Sequence, residues 1–307
     1  MKVLLKRILD RLGYTLEPSA LVWADPERLE KASSDVERFR EIISDPLNLL
    51  ISRVPAAGYV DKDGCVILHN GNRVPLTGPS AYYDKFSQIL VLNRGVHEPL
   101  EEYCFQQMLV SVDPKPVMLE VGAYWAHYSM WLKKARPEAT CIMIEPDAAR
   151  LKSGIHNFSL NGYTGEFIQA AVSADGFRLD QFVAERRMSS LDVLHADVQR
   201  HEVGLLMSGR EFLSGHGAKY IFVSTHSEAL HHSVEDILRR HSYRVEVSSG
   251  FATHTTACDG FIMATSPHVS PLFESFKPLG RVQIAQASPE ELVHSIAPFA
   301  RAKDAGG

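Results

Sequence analysis

From Val117 onward, the chain carries seven short apolar runs that are separated by stretches of helical periodicity. This alternation predicts a parallel β-sheet with helices on both faces. The connection between the last two runs is too short for a comfortable crossover helix, so these two strands are expected to pair antiparallel at one edge of the sheet. The predicted strands are VMLEVG (117–122), TCIMIEP (140–146), GEFIQAAV (165–172), LDVLHADV (191–198), KYIFVST (219–225), YRVEVSS (243–249) and DGFIMAT (259–265).

An antiparallel last strand distinguishes one seven-stranded, doubly wound α/β architecture from the dinucleotide-binding Rossmann folds that it otherwise resembles. That architecture is the Rossmann-like class I methyltransferase fold, which we expect over residues 113–270. Residues 1–112 are predicted to form a mainly helical extension, with helices near 26–50 and 98–111 around a β-hairpin whose Asp-Gly and Asn-Gly pairs are turn signals. Residues 271–307 are expected to form a C-terminal helix and tail.

Composition narrows the class of protein. With 307 residues, 45% of them hydrophobic, the chain can bury a full core. The net charge of -5 offers no basic footprint for nucleic acid, so no nucleic-acid partner is expected. The four cysteines form no C-x-x-C pair, which fits a reducing, cytoplasmic location.

The first residues read as an amphipathic helix rather than a signal peptide, because charged side chains interrupt the apolar run. We expect this helix to pack on its own protein or on a partner subunit, which would make a homo-oligomer; the alternative is an anionic membrane surface. No segment is long and apolar enough to predict a transmembrane span.

The loop after the first predicted strand constrains the cofactor. Glu120 and Gly122 end the strand, and a helix opens at Tyr128 and Ser129, so backbone N–H groups would face a ligand there. Bulky side chains from Tyr124 to Ala126 replace the glycines that a pyrophosphate would need. S-adenosylmethionine has no phosphate, so the same loop could serve it.

A carboxylate follows the second predicted strand at the spacing that this fold requires. Glu145, in IEPD, lies about twenty residues after Gly122, where it could accept hydrogen bonds from both ribose hydroxyls of a cofactor. Each signal is weak alone, because an acidic residue after a strand is often only a helix cap.

The motifs LEVGAYWAHYSMW, IEPDAARLKSGIHNFSLNG, LDVLHADVQRHE and DGFIMA resemble the FkbM family of S-adenosylmethionine-dependent O-methyltransferases over residues 116–267. The resemblance implies methylation of a hydroxyl on a sugar, a polyketide or a related natural product, as in natural product biosynthesis. The acceptor would be a small molecule or a glycan. By position, the cofactor would be bound by Glu120, Gly122, Ala123, Tyr124, Ser129, Glu145, Pro146, Ala171, Val172 and Ser173.

The sequence departs from the family pattern in three places. Arg200 and His201 replace a glycine-alanine pair, Tyr124 and Ala126 replace loop glycines, and the predicted third and fourth strands lie less than twenty residues apart. An alternative function is therefore a catalytically impaired protein that binds the cofactor or serves as a scaffold. A nicotinamide-dependent oxidoreductase is a third hypothesis, which the loop and the antiparallel strand disfavour.

Methyl transfer to an alcohol needs a group that removes the proton of the acceptor. His195 and Asp197 alternate on the fourth predicted strand, so their side chains share a face, and His226 ends the fifth. Asp197 could orient His195, or could bind a divalent metal such as Mg²⁺; the sequence does not decide. His97 and Glu98 either lie over the pocket or only begin a helix.

Overall fold

The computed structural model describes residues 35–251, 255–274 and 276–300. The predicted N-terminal helix lies outside these residues. No helix within the described ranges is long and apolar enough to cross a membrane.

The seven predicted strands are present as β3 (Val117–Val121), β4 (Thr140–Ile144), β5 (Glu166–Ile168), β6 (Leu191–Ala196), β7 (Ala218–Thr225), β8 (Arg244–Ser249) and β9 (Gly260–Thr265). They form one sheet in the order β5-β4-β3-β6-β7-β9-β8. The pairs from β5 to β7 are parallel, whereas β9 is antiparallel to both β7 and β8. This strand order with its antiparallel edge is the topology of a class I methyltransferase fold, which confirms the predicted fold class.

Helices cover both faces of the sheet. Before it lie α1 (Asp35–Ser44), α2 (Gln88–Leu92) and α3 (Pro99–Ser111), with 3-10 turns at Pro46–Leu49 and Asp84–Ser87. Helix α3 confirms the helix predicted near 98–111, and α1 with the 3-10 turn at Pro46–Leu49 confirms helical structure in the described part of 26–50. The other helices are α4 (His127–Ala135), α5 (Ala148–Leu160), α6 (Leu179–Glu185), α7 (Glu202–Met207), α8 (Arg210–Ser214), α9 (Glu228–Arg240), α10 (Arg281–Gln286) and α11 (Pro289–Ala300).

The predicted hairpin is present as β1 (Cys65–Ile67) and β2 (Arg73–Pro75), which pair antiparallel. Hydrophobic residues of the extension and of one sheet face form a single cluster. Phe105 of α3 is fully buried there, with its ring centroid 5.0 Å from that of Tyr128 and 5.5 Å from that of Phe222. The extension thus covers one face of the sheet directly.

Strand β5 is shorter than predicted. It ends at Ile168 rather than Val172, because it lies at the sheet edge and its one partner among the described strands, β4, ends at Ile144 in the same register. Residues 169–190 therefore connect β5 to β6 and include helix α6. This connection is longer than the sequence indicated.

Candidate active site

The turn after β3 brings two strand ends together. Gly122 has a φ of +82°, and a Cβ atom placed on it would lie 1.7 Å from the carbonyl oxygen of Asp197. A side chain at this position would collide with the backbone that follows β6. The glycine is therefore required by the close approach of the chain after β3 to the chain after β6.

The residues after Gly122 keep left-handed conformations without glycine. Tyr124 has a φ of 41° and Ala126 a φ of 61°, conformations that are unfavourable for L-residues. The Tyr124 hydroxyl donates to the carbonyl of Ala81 at 3.1 Å and accepts from the backbone N–H of Tyr83 at 3.0 Å. The aromatic side chain thus ties this loop to the extension.

Glu145 directly follows β4 and is 3% exposed. One of its carboxylate oxygens accepts a hydrogen bond from the backbone N–H of Tyr124 at 3.0 Å, and the other accepts from Asp147 at 3.0 Å. Burial raises the pKa of Glu145. Each oxygen retains capacity for a further donor, as a pair of ribose hydroxyls would require.

Glu145 faces a cavity of about 460 Å³, which we call the outer cavity. Its size lies within the range that is typical of small-molecule sites. Residues 171–173, which follow β5, also border it. The lining includes Gly122, Tyr124, Glu145, Pro146, Ala171, Val172, Ser173, Asp197 and Gln199.

A second cavity of about 230 Å³, the inner cavity, lies on the side of Glu120. Glu120 is buried on β3, where it is paired in register with His195 of β6. The N–H of Ser129 donates to its carboxylate at 3.2 Å. Ala123 lines this cavity, whereas Ser129 lines neither cavity and contributes by holding Glu120.

His195 is brought beside Glu101 rather than Asp197. Its Nε2 atom lies 2.6 Å from Glu101 Oε1, while Glu101 Oε2 accepts a hydrogen bond from the Ser224 hydroxyl at 3.0 Å. Burial would lower the pKa of His195, but the hydrogen bond and charge of Glu101 outweigh it and raise that pKa. Asp197 was predicted as one candidate to orient His195, but the structure places Glu101 in that position.

Asp197 instead contacts the other predicted histidine. Its Oδ1 atom lies 3.2 Å from His226 Nε2, and Asp259 lies 3.6 Å from the same nitrogen. The Nδ1 atom of His226 contacts the buried carboxylate of Glu202. Burial would lower the pKa of His226, but these hydrogen bonds and charges raise it to about 10.

The two cavities meet beside Asp197. Tyr83, Gly122, Tyr124, Asp197 and Gln199 line both of them. Groups bound in the outer and in the inner cavity would therefore lie on either side of these residues. The sequence placed Asp197 near the reacting atoms, and the structure locates its side chain at this junction.

The inner cavity is rich in carboxylates. Five carboxylate residues line it, together with Arg38 and the histidines His97, His127 and His195, among the described residues. Burial raises the pKa of Glu98 to about 8 and that of Asp259 to about 6. A cationic ligand suits such a cavity better than a pyrophosphate. The carboxylates belong to Glu98, Glu101, Glu120, Asp197 and Asp259.

Sequence reasoning gave no role to Asp259, Glu202 or Tyr83. Asp259 immediately precedes β9, and β9 is antiparallel to β7, so the start of β9 reaches the edge where β7 ends. An acidic residue at the start of an antiparallel strand was the available signal. His97 and Glu98 precede helix α3 and also line the inner cavity.

The strand order and the position of this site define a class I methyltransferase fold. No protein-family model matches the sequence, and no curated protein does. The FkbM resemblance therefore rests on the motifs quoted above.

Three solved structures illustrate what the chain is similar to. M. capricolum TrmK in complex with S-adenosylhomocysteine aligns with a TM-score of 0.39 and 10% identity, covering 64% of this chain and 82% of that chain. Precorrin-6y C5,15-methyltransferase of Geobacter metallireducens aligns with a TM-score of 0.40 and 14% identity, covering 53% of this chain and 86% of that chain. Aeropyrum pernix fibrillarin with natively bound S-adenosylmethionine aligns with a TM-score of 0.39 and 14% identity, covering 53% of this chain and 74% of that chain. The fold assignment depends on strand order and register, not on these distant similarities.

Proposed function

We propose that the protein is an S-adenosylmethionine-dependent O-methyltransferase that acts on a hydroxyl of a sugar, a polyketide or a related natural product. The observation that carries this proposal is the pair of cavities that meet at Asp197, on the edge of the sheet where β3, β4 and β6 end. One cavity would hold the nucleoside of the cofactor, and the other its amino-acid end and the acceptor. The FkbM-like motifs support a hydroxyl as the acceptor group.

The charge of the site favours this cofactor over a dinucleotide. S-adenosylmethionine carries a sulfonium, an ammonium and one carboxylate group, and its two cationic groups are attracted to the carboxylates of the inner cavity. A pyrophosphate would be repelled by the same groups. The Tyr124 and Ala126 side chains also stand where a dinucleotide site needs bare backbone.

The residues fit the cofactor from one end to the other. Glu145 would accept from the ribose hydroxyls, and Glu120 and Gly122 would lie beside the amino-acid end. Pro146 and the residues 171–173 would flank the nucleoside, since they border the outer cavity with Glu145. When bound, S-adenosylmethionine supplies an electrophilic methyl group.

His195 is the residue best placed to accept the proton of the acceptor hydroxyl. Its Nε2 atom is held by Glu101, whereas its buried Nδ1 atom has no hydrogen-bond partner among the described residues. A histidine held at one nitrogen by a carboxylate can present its other nitrogen to a substrate proton. A cationic cofactor nearby would lower the pKa of His195 and so favour the neutral, proton-accepting form.

His226 is poorly suited to be the base, because carboxylates contact both of its ring nitrogens and its pKa is about 10. We assign it instead to holding Asp197 at the junction of the cavities. Asp197 would then accept a hydrogen bond from the acceptor. Binding of Mg²⁺ by Asp197 remains a prediction.

The first test is calorimetric titration with S-adenosylhomocysteine, beside NAD as a control and with and without Mg²⁺. We expect S-adenosylhomocysteine to bind and NAD not to bind. The substitution Glu145→Ala should weaken the binding of S-adenosylhomocysteine by about 1–3 kcal/mol, because hydrogen bonds to a charged acceptor are lost. Glu138→Ala is the matched control, because Glu138 is 63% exposed and precedes the opposite end of β4. Binding of NAD alone would overturn the proposal in favour of an oxidoreductase.

The second test measures methyl transfer by mass spectrometry across a panel of hydroxylated sugars and polyketides. Once an acceptor has been identified, His195→Gln should lower kcat by roughly 10²–10⁴-fold, the usual contribution of a general base. The affinity for S-adenosylhomocysteine should change little. A fall in affinity with an unchanged kcat would instead place His195 in cofactor binding.

Cofactor binding without catalysis is the alternative function, and one observation favours it. Arg200 has a φ of 79°, at the position where the FkbM pattern has a glycine. Tight binding of S-adenosylhomocysteine without turnover on any member of the panel would support this alternative. Any methylated product would exclude it.

A further inference from the structure

Three buried side chains converge beside the proposed reaction site. His69 follows strand β1, Glu102 lies in α3, and His127 is the first residue of α4. They are 1%, 0% and 1% exposed, respectively. Among the described residues, this is the one place where three such donors have ligand atoms within 4.8 Å of one another.

Most of the polar atoms in this cluster are unsatisfied. Both ring nitrogens of His69 and of His127, and the Oε2 atom of Glu102, are buried without a hydrogen-bond partner among the described residues. The Nε2 atom of His69 and Glu102 Oε2 are 3.1 Å apart but poorly aligned for a hydrogen bond. Each unsatisfied buried polar group costs about 1–3 kcal/mol, and a ligand that took one atom from each of the three residues would satisfy three of these five atoms.

The other oxygen of Glu102 is already committed. Its Oε1 atom accepts from the backbone N–H of His97 at 2.9 Å and lies 2.5 Å from the Nδ1 atom of the same histidine. It also accepts from the N–H of Glu98 at 3.3 Å. These contacts fix the orientation of the carboxylate and leave Oε2 beside His69, whereas the Nε2 atom of His127 lies 3.7 Å from Oε1.

We propose that His69, Glu102 and His127 bind a divalent transition metal ion, with zinc as the best match. Two imidazoles and one carboxylate are a donor set that zinc commonly takes in proteins. Donor atoms around a tetrahedral zinc ion lie roughly 3.3 Å apart, so the more distant donors must move slightly closer to bind. His97 orients the carboxylate, as second partners of metal ligands do.

The surroundings supply both an entry route and a function. His69 borders a surface cavity of about 550 Å³, together with Asn70, Gln106 and Trp131. His127 lines the inner cavity on the other side. Because the three ligands come from the hairpin, α3 and α4, a bound ion would fasten the extension to the methyltransferase fold. The proposal does not depend on the methyl-transfer activity.

The test uses the full chain, purified without a histidine tag and analysed by inductively coupled plasma mass spectrometry. We expect about one zinc ion per chain. After chelation, added zinc should raise the Tm by roughly 5 °C at a hundredfold excess over Kd. Cobalt loaded in place of zinc should give visible absorption bands of a four- or five-coordinate ion.

His69→Ala should lose most of the bound zinc, and His97→Ala should weaken zinc binding by roughly 10–100-fold. The matched control is His156→Ala, since His156 is an exposed histidine on helix α5. If His69→Ala does not fold, the cobalt spectrum and the zinc-dependent Tm of the unmodified chain still decide. The proposal would be overturned if the zinc content were equally low in the unmodified chain and in His69→Ala and added zinc left the Tm unchanged. That result would mean that water satisfies these atoms.

Discussion

The imidazole of His195 and the carboxylate of Glu101 meet at 2.6 Å across 94 positions of the chain. Strand β6 supplies one and helix α3 the other. The ring of Tyr128 packs against the imidazole of His195 at a centroid distance of 4.4 Å. This pair is therefore built jointly by the methyltransferase fold and its N-terminal extension.

Replacing Glu101 should disable His195 without unfolding the site. In Glu101→Gln the charge that raises the pKa of His195 is lost, so that pKa should fall, as an NMR titration of the imidazole would show. The kcat should fall by roughly 10²-fold because the imidazole loses its charged partner. An unchanged kcat, with the pKa shift present, would argue that His195 takes no part in proton transfer.

The contacts of His226 predict a pH-dependent stability. Its folded pKa of about 10 lies above its ordinary value of 6.5, so the stabilisation is fully present below pH 6.5 and is lost as pH rises toward 10. The difference in free energy of unfolding between the unmodified chain and His226→Gln should shrink over that window. Urea denaturation at pH 6, 8 and 10 measures it. A difference that grows with pH would contradict the assigned contacts.

Gly122 should tolerate no side chain. In Gly122→Ala the new Cβ atom would meet the carbonyl of Asp197, so we expect several kcal/mol of destabilisation or a displaced cofactor loop. Gly162→Ala is the matched control, because Gly162 has a φ of +72° and nothing within 4 Å of an added Cβ atom. It should lose only about 1 kcal/mol from backbone strain. Equal losses in the two variants would show that contact with Asp197 is unimportant.

The shared core predicts that the extension stabilises the sheet. Phe105→Ala removes a fully buried ring that packs against Tyr128, Trp131 and Phe222, and should cost about 3–5 kcal/mol. Val110→Ala on the same helix is the control, since Val110 is 78% exposed and its truncation should cost little. Thermal denaturation of both variants measures the difference. A similar Tm for the two would indicate that the extension packs loosely on the sheet.

Local patterns in the sequence were sufficient to predict the sheet and part of the site. Apolar runs mark buried strands because both faces of a parallel sheet are covered, and a short connection requires antiparallel pairing. Glu145 and Gly122 could be located because they lie next to strands in the chain. The end of β5 was misplaced, since pairing ends where the neighbouring strand does, and no local pattern carries that information.

Contacts between distant segments were decided only by the tertiary structure. Glu101 rather than Asp197 contacts His195, because helix α3 packs across the ends of β6 and β7. Asp197 instead contacts His226, since the two residues follow neighbouring strands. His69, Glu102 and His127 converge from the hairpin, α3 and α4. The sequence alone determined the fold class and the strand ends that bear the site, since these follow from local periodicity; side-chain partners depend on how the extension packs, which is a property of the whole core.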